Sequence, residues 1–362
     1  MAEARIHSNP AWDRVSVASQ DIGRKVMRNA MDTSMEPRRT AFRPVSRAGL
    51  IVNPSSGKNS GKGLALADRI RHDPSITVRV LERFDQITGF IDDMARDDVS
   101  DLFISSGDGT IQEILTQIAE RKPFRLFPRL SLLPHGTTNL TAADLGLRHR
   151  SITAQAEFIR DVRLNTMRDR PTIRCANPRD GRPRHGMFVG TGAVAAATQF
   201  CQEAFNSKGV KGNWATFATL ASAVSKTAFS KPDPTDHTRL DRPFDIAIDA
   251  DGQRYADGQQ LLQMSTTLDT LILNTKPFWG GKTGPIRTTV FPYPVPSVFR
   301  WLLPMMYGAE TRKAPEGAMS FCSEKLQITS SSMFVIDGEF FAPPADEPLE
   351  LQTGPVFTYL CG

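Results

Sequence analysis

Leu102-Phe103-Ile104-Ser105-Ser106-Gly107-Asp108-Gly109-Thr110 decides the reading of this chain. Four mostly apolar residues lead into a glycine-bracketed acid, and the stripe Ile111, Ile114, Leu115, Ile118 follows at helical spacing. That pattern predicts a buried strand, a tight turn and an amphipathic helix. The turn sets backbone N–H groups and a helix N-terminus at the C-terminal end of a strand, a place that favours phosphate. Asp108 would repel bare phosphate. It suits the place if a divalent cation lies between carboxylate and phosphate, or if the acid handles a hydroxyl proton.

Two further strand–loop–helix units flank this one. Ala48 to Val52 leads into Asn53-Pro54-Ser55-Ser56-Gly57-Lys58 and a helix through Leu64, Ala67 and Ile70. Leu130 to Leu133 leads into Pro134-His135-Gly136-Thr137-Thr138-Asn139 and another helix. Thr77 to Leu81 alternates as a strand, and a helix runs from about Ile87 to Met94. Alternating strands and helices predict an α/β domain with a mostly parallel sheet over residues 47–163, with all three polar loops at the strand C-termini.

After about residue 165 helical periodicity fades. Short β-rich runs (Gly186–Gly190, Phe244–Ile248, Leu261–Met264, Thr270–Leu273, Lys325–Ile328) predict a mainly antiparallel β-sandwich domain over 164–340. Helical insertions fall within 193–228 and at Val298–Tyr307, an exposed loop at 229–243, and a return segment at 341–362.

Composition bounds the classes. The chain has 362 residues and a formal net charge of +5, enough length for two domains. No apolar run reaches the length of a membrane-spanning helix, and the N-terminus lacks a signal-peptide core. Four scattered cysteines read as free thiols in a reducing compartment. Residues 1–46 form a basic arm, read either as a flexible extension or as a segment drawn to anionic membrane. No basic face interleaved with aromatics argues for nucleic acid.

The loop residues carry open alternatives. Ser-Ser-Gly-Lys at 55–58 is not followed by the spacing of a P-loop, and reads as a phosphate contact or a solvated turn. Thr110 is a candidate N-cap or phosphate hydroxyl. Glu113 stands three residues on, either closing a capping box or facing a nucleotide ribose or metal. His135 has nothing nearby in sequence to orient it. Asp337-Gly338-Glu339, after Met333–Ile336, is a hairpin turn or a carboxylate pair sent to a cleft, one accepting a proton and one placing a metal.

Together these loops resemble the diacylglycerol kinase catalytic family, which includes bacterial lipid kinases, sphingosine kinases and ceramide kinases. The Asn-Pro-x-Ser-Gly-Lys-like loop, Gly107-Asp108-Gly109-Thr110 with Glu113, Pro134-x-Gly136-Thr137-x-Asn139 and the late Asp337-Gly338-Glu339 occur in the family's order. Phe188 to Ala193, and Asn274 with Gly280, Gly281 and Pro285, resemble stretches of the second domain. The resemblance implies a nucleotide domain like that of NAD kinase and phosphofructokinase, a β-sandwich lipid domain, ATP and Mg²⁺. By position it implies that Asn53, Ser56, Gly57, Lys58, Gly107, Asp108, Gly109, Thr110, Glu113, Gly136, Thr137, Thr138 and Asn139 hold the nucleotide. It implies catalytic roles for Asp108, Glu339 and Asp337, with Asp108 (through Mg-ATP) and Asp337 toward metal.

Three departures stand out. Ser106 replaces the first glycine of the Gly-Gly-Asp-Gly-Thr loop, as in sphingosine-type members. Leu140 stands where many bacterial members carry Asp, as a non-acid does in sphingoid-type members, which points away from a plain diacylglycerol. No acid follows Pro285 in Ile286 to Val290, so a structural Mg²⁺ is not expected. The expected activity is phosphoryl transfer from ATP to the primary hydroxyl of a membrane lipid, ceramide, sphingoid or diacylglycerol, by a cytoplasmic, peripherally membrane-associated enzyme. The competing expectations are a kinase of a soluble acceptor such as NAD and a catalytically silent lipid-binding regulator. Val298–Tyr307 reads as an interfacial helix or as ordinary core packing broken by Pro304.

Overall fold

A computed structural model describes residues 47–56, 61–136, 139–148, 151–162, 166–208, 242–295 and 298–361. The basic arm, Gly57 and Lys58, Thr137 and Thr138, and most of the 229–243 loop lie outside the described residues.

In the first half, β1 (Ala48–Val52), β2 (Ile76–Val80), β3 (Asp101–Ser106) and β4 (Arg129–Pro134) alternate with helices. These are α1 (Lys62–Ile70), α2 (Ile87–Arg96), α3 (Asp108–Arg121), α4 (Leu140–Leu145) and α5 (Ile152–Arg160). The four strands are parallel, in the order β4-β3-β1-β2. Every residue of β1 and β3 is buried, as for strands covered on both faces. Side-chain alternation divides the core. Ile51, Leu102 and Ile104 face Ile91 and Met94 of α2 and Ile114 and Leu115 of α3. Leu50, Val52 and Phe103 face Leu66 and Ile70 of α1 and Phe158 of α5.

The second half holds β5 (Met167–Cys175), β6 (Arg184–Gly186), β7 (Phe188–Gly192), α6 (Ala193–Lys208), β8 (Phe244–Ala250), β9 (Gln253–Thr266) and β10 (Ile286–Pro292). It continues with α7 (Val298–Tyr307), β11 (Met319–Ser323), β12 (Lys325–Thr329), β13 (Phe334–Ile336), β14 (Glu339–Phe341) and β15 (Leu349–Leu360). Pairing among these strands is antiparallel. A second core of Val189, Ile246, Ile248, Val290, Leu326 and Phe334 fills this region.

The two halves share one sheet network, ordered β14-β13-β7-β9-β8-β12-β15-β4-β3-β1-β2. The junction is β15. Its first residues pair antiparallel with β12, its length runs against β5, and Tyr359 pairs in parallel with Leu130 of β4. One expected strand is absent: Thr270–Leu273 curls instead of extending. Leu271 N–H donates to Thr275 O at 2.9 Å, and Leu273 and Asn274 both take φ of 58°. Ile272 and Leu273 are exposed in this turn, so their apolar character does not report a buried strand.

Candidate functional site

Three loops at the C-terminal ends of β1, β3 and β4 meet around Gly107. Asn53 closes the first loop on itself, its Oδ1 accepting from Ser55 N at 3.0 Å, and its Nδ2 donates to Thr110 Oγ1 at 2.8 Å. Ser56 reaches the same place: a Cβ built on Gly107 would lie 2.7 Å from Ser56 Oγ. From the third loop, a Cβ on Gly136 would lie 2.5 Å from Gly107 Cα. Gly136 therefore needs glycine for close approach to the Gly107 backbone, and Gly107 leaves room for the Ser56 hydroxyl; neither needs it for an unusual φ. Asn139 ties this third loop, accepting from Gly136 N at 2.9 Å and donating to Gly136 O at 2.7 Å.

The helix after the central turn starts earlier than the sequence suggests. Gly107 is the N-cap of α3 and Asp108 its first residue, so Thr110 is inside the helix and its hydroxyl serves Asn53. The capping-box reading of Thr110 and Glu113 is overturned for the same reason. Glu113 sits one turn on and accepts from Gln117 Nε2 at 2.7 Å.

Asp108 has a partner that lies thirty-two residues later. Its carboxylate accepts from Leu140 N at 2.9 Å and Thr141 N at 3.1 Å, the first amides of α4. The acid in the turn is thus held by the N-terminus of a second helix, where a negative charge is stabilised. Burial pushes its carboxyl up, the two amides oppose that, and Glu339 adds to the rise.

The late Asp-Gly-Glu forms the hairpin turn of its first reading. Asp337 (φ 47°) and Gly338 (φ 90°) are the two central residues of the β13–β14 hairpin, with Ile336 paired to Glu339. Two positive φ values define the turn type that Asp-Gly favours. The same hairpin also approaches α3: a Cβ on Gly109 would lie 2.5 Å from Glu339 Oε1. Glu339 is exposed, whereas Asp337 is buried and accepts from Met187 N and from Phe188 N, the latter at 2.8 Å. Burial, and after it the Asp108 charge, push the Asp337 carboxyl up to about 8. Gln202 of α6 donates to Gly338 O at 2.8 Å and braces the turn.

Two supporting clusters escaped the sequence. Ser105 Oγ and His135 Nδ1 are 2.8 Å apart, so the imidazole is oriented after all. Burial, with Lys62 adding to it, pulls that ring down to about 4, which leaves it neutral at pH 7. At the other end of α3, Glu120 accepts from Arg174 Nε at 2.6 Å and lies 2.7 Å from His185 Nε2. Thr116 Oγ1 accepts from His185 N at 2.9 Å. This cluster fixes α3, and with it Asp108 and Gly109, against β5 and β6.

The sequence-predicted residues Asn53, Ser56, Gly107, Asp108, Gly109, Thr110, Gly136, Asn139 and Glu339 come together, with Asp337 beneath them and Glu113 a turn away. Among the described residues no group of three or more His, Cys, Asp or Glu side chains could hold a metal ion. No helix among them is long and apolar enough to cross a membrane.

Residues 47–168 match the model of the diacylglycerol kinase catalytic domain. A protein of Streptococcus pneumoniae serotype 4 named a lipid kinase is 27% identical over 101 residues, 26% of this chain. The match spans 33% of that relative's own length. Two crystal structures from Bacillus anthracis, both named diacylglycerol kinases, share the fold. One has a TM-score of 0.61 at 16% identity, covering 89% of this chain and 98% of its own. The other has a TM-score of 0.58 at 15% identity, covering 88% and 99%.

Proposed function

We propose that the protein is an ATP-dependent lipid kinase that phosphorylates the primary hydroxyl of a membrane lipid, of ceramide, sphingoid or diacylglycerol type, as a cytoplasmic, peripherally membrane-bound enzyme. The observation that carries this reading is the Glu339 carboxylate standing over Gly109, beside the glycine cradle of Gly107 and Gly136. A phosphoryl acceptor needs a carboxylate at the place where the nucleotide ends.

The cradle fits a nucleotide. Gly107 and Gly136 have no side chain to block close approach, and Ser56 and Thr110 bring hydroxyls to it. Bound ATP supplies the γ-phosphoryl. Phosphoryl transfer of this kind asks the protein for positioning and charge compensation more than for covalent chemistry. Were Mg²⁺ bound with the nucleotide, Asp108 is the residue that would hold it, and the ion would supply charge compensation for the transferred phosphoryl. An Asp oxygen that accepts one amide keeps a second lone pair. Asp337 is buried like Asp108, but its Oδ1 already accepts from both the Met187 and the Phe188 amides, which leaves only Oδ2, itself shared with the Met187 amide, toward a metal. In this reading Asp337 is a positioning residue that sets the hairpin, and Glu339 accepts the proton of the lipid hydroxyl. Its exposure gives that proton a path to water.

The test is incubation of purified protein with labelled ATP, Mg²⁺ and a panel of micellar lipids alongside NAD. Label in one lipid, lost roughly 10²- to 10⁴-fold in Glu339→Gln, is the expected result. Label in NAD, or undiminished label with Glu339→Gln, overturns the assignment.

A further inference from the structure

Four of the ten large apolar side chains left exposed among the described residues lie together: Ile272, Leu273, Leu303 and Tyr307. Positions 300, 303, 304 and 307 share one face of α7 by helical spacing, and Arg300, Leu303, Pro304 and Tyr307 are all exposed there. The opposite face is core. Met305 is buried with Leu261 and Phe291, and Trp301 packs against them. The helix is therefore two-sided, and core packing accounts for only one of its sides.

The turn that holds Ile272 and Leu273 is braced to the same helix. Tyr307 Oη donates to Leu273 O at 3.3 Å, and Lys276 N donates to Met306 O at 2.8 Å. The Arg312 guanidinium donates to the Met305, Lys276 and Phe278 carbonyls, tying helix end and turn together. Leu273 sits at φ 58°, a region L residues other than Asn and Asp avoid, and is 55% exposed. A leucine turned outward at positive φ with its carbonyl bonded by Tyr307 Oη is not a loose loop residue.

Charge selects the occupant. Between residues 270 and 313 the chain carries Lys276, Lys282, Arg287, Arg300, Arg312 and Lys313, against Glu310 as the sole acid. Lys276, Arg300 and Lys313 are exposed. Leucine and tyrosine rimmed by Lys and Arg match the boundary of an anionic bilayer, where apolar tips enter the acyl region and cations meet lipid phosphates. We propose that the outer face of α7 and the 272–273 turn form the surface on which this protein docks to an anionic membrane. Its use in presenting a lipid acceptor rests on the kinase reading above; its binding to a bilayer does not.

The test is co-sedimentation of the full chain with phosphatidylcholine vesicles, with and without phosphatidylglycerol. Leu303→Glu combined with Leu273→Asp should weaken binding to the anionic vesicles on the order of tenfold or more. Asp is chosen at 273 because it tolerates the left-handed conformation. Lys276→Glu with Arg300→Glu should weaken it roughly 25-fold, and added salt should weaken the unaltered protein. Unchanged melting and unchanged phosphorylation of a short-chain, water-soluble acceptor in these variants would support a docking role. Variants that bind vesicles as the parent does, or a parent that ignores anionic vesicles, overturn it. So does a parent that dimerises and becomes monomeric with Leu303→Glu, which would assign the face to a second copy. Vesicle binding that responds as expected while no acceptor is phosphorylated would leave the docking surface standing and remove the kinase reading.

Discussion

Glu339 and Gly109 are in contact across the two halves of the chain: a single methyl added at Gly109 would come within 2.5 Å of the Glu339 carboxylate oxygen and 3.1 Å of its carbon. Gly109 is the second residue of α3 and has no positive φ. Its missing side chain serves the glutamate, not the backbone.

Gly109→Ala should therefore separate activity from stability. Alanine favours a helix over glycine by about 1 kcal/mol, and the atoms it crowds, Oε1, Cδ and Cγ, belong to the exposed Glu339 side chain. Urea unfolding should show unchanged or slightly raised stability. Turnover should fall on the order of a hundredfold, because the misplaced carboxylate no longer meets the acceptor. Undiminished turnover would remove Glu339 from its assigned place.

Asp108→Ala should cost stability as well as activity. The change leaves the Leu140 and Thr141 amides without their acceptor, at roughly 1–3 kcal/mol for each buried donor. Asp108→Asn keeps one acceptor oxygen and should recover part of that loss. Chemical denaturation of the two variants beside the parent checks the order: parent, then Asn, then Ala.

Asp337 gives a stability that declines toward alkaline pH. Its carboxyl is raised to about 8 in the fold, from the 3.8 of a free aspartate. The folded state then binds a proton that the unfolded chain releases, so this contribution is complete below about pH 4. It is lost as pH rises to 8. Asp337→Asn, close in shape to the protonated acid, should flatten the decline in melting temperature between those limits. An identical slope in the variant would show that Asp337 is ionised in the fold.

Glu120 acts in the opposite sense. Arg174 above all, with His185 helping, holds its carboxyl down at about 2. The contribution is present above the unfolded pKa near 4.5 and lost as pH falls toward 2. Glu120→Gln should unfold less steeply with acid across that window, followed by circular dichroism.

The sequence revealed the parallel half because its signals are local: glycine turns between buried strands and helical stripes. The pairing of Asp337-Gly338 as a hairpin turn was legible for the same reason. What escaped it depends on distant partners. Asp108 finds Leu140 and Thr141, His135 finds Ser105, and Glu120 finds His185 and Arg174, none of them within reach of a periodicity. The capping box failed because Thr110-x-x-Glu113 has the right spacing one turn too late, Gly107 having already started the helix. Thr270–Leu273 misled because apolar residues in a short run read as strand whether they face a core or water.

The placement of β15 also shapes how the chain is made. This strand leaves the ribosome after both sets of strands that it joins. Until it arrives, β4 lacks its outer neighbour and β5 and β12 lack the strand between them. An open edge on a finished parallel half is a template for mispairing with other chains. A parallel half that forms before β15 is made would present such an edge at β4, and a chaperone that shields sheet edges would serve it at that moment.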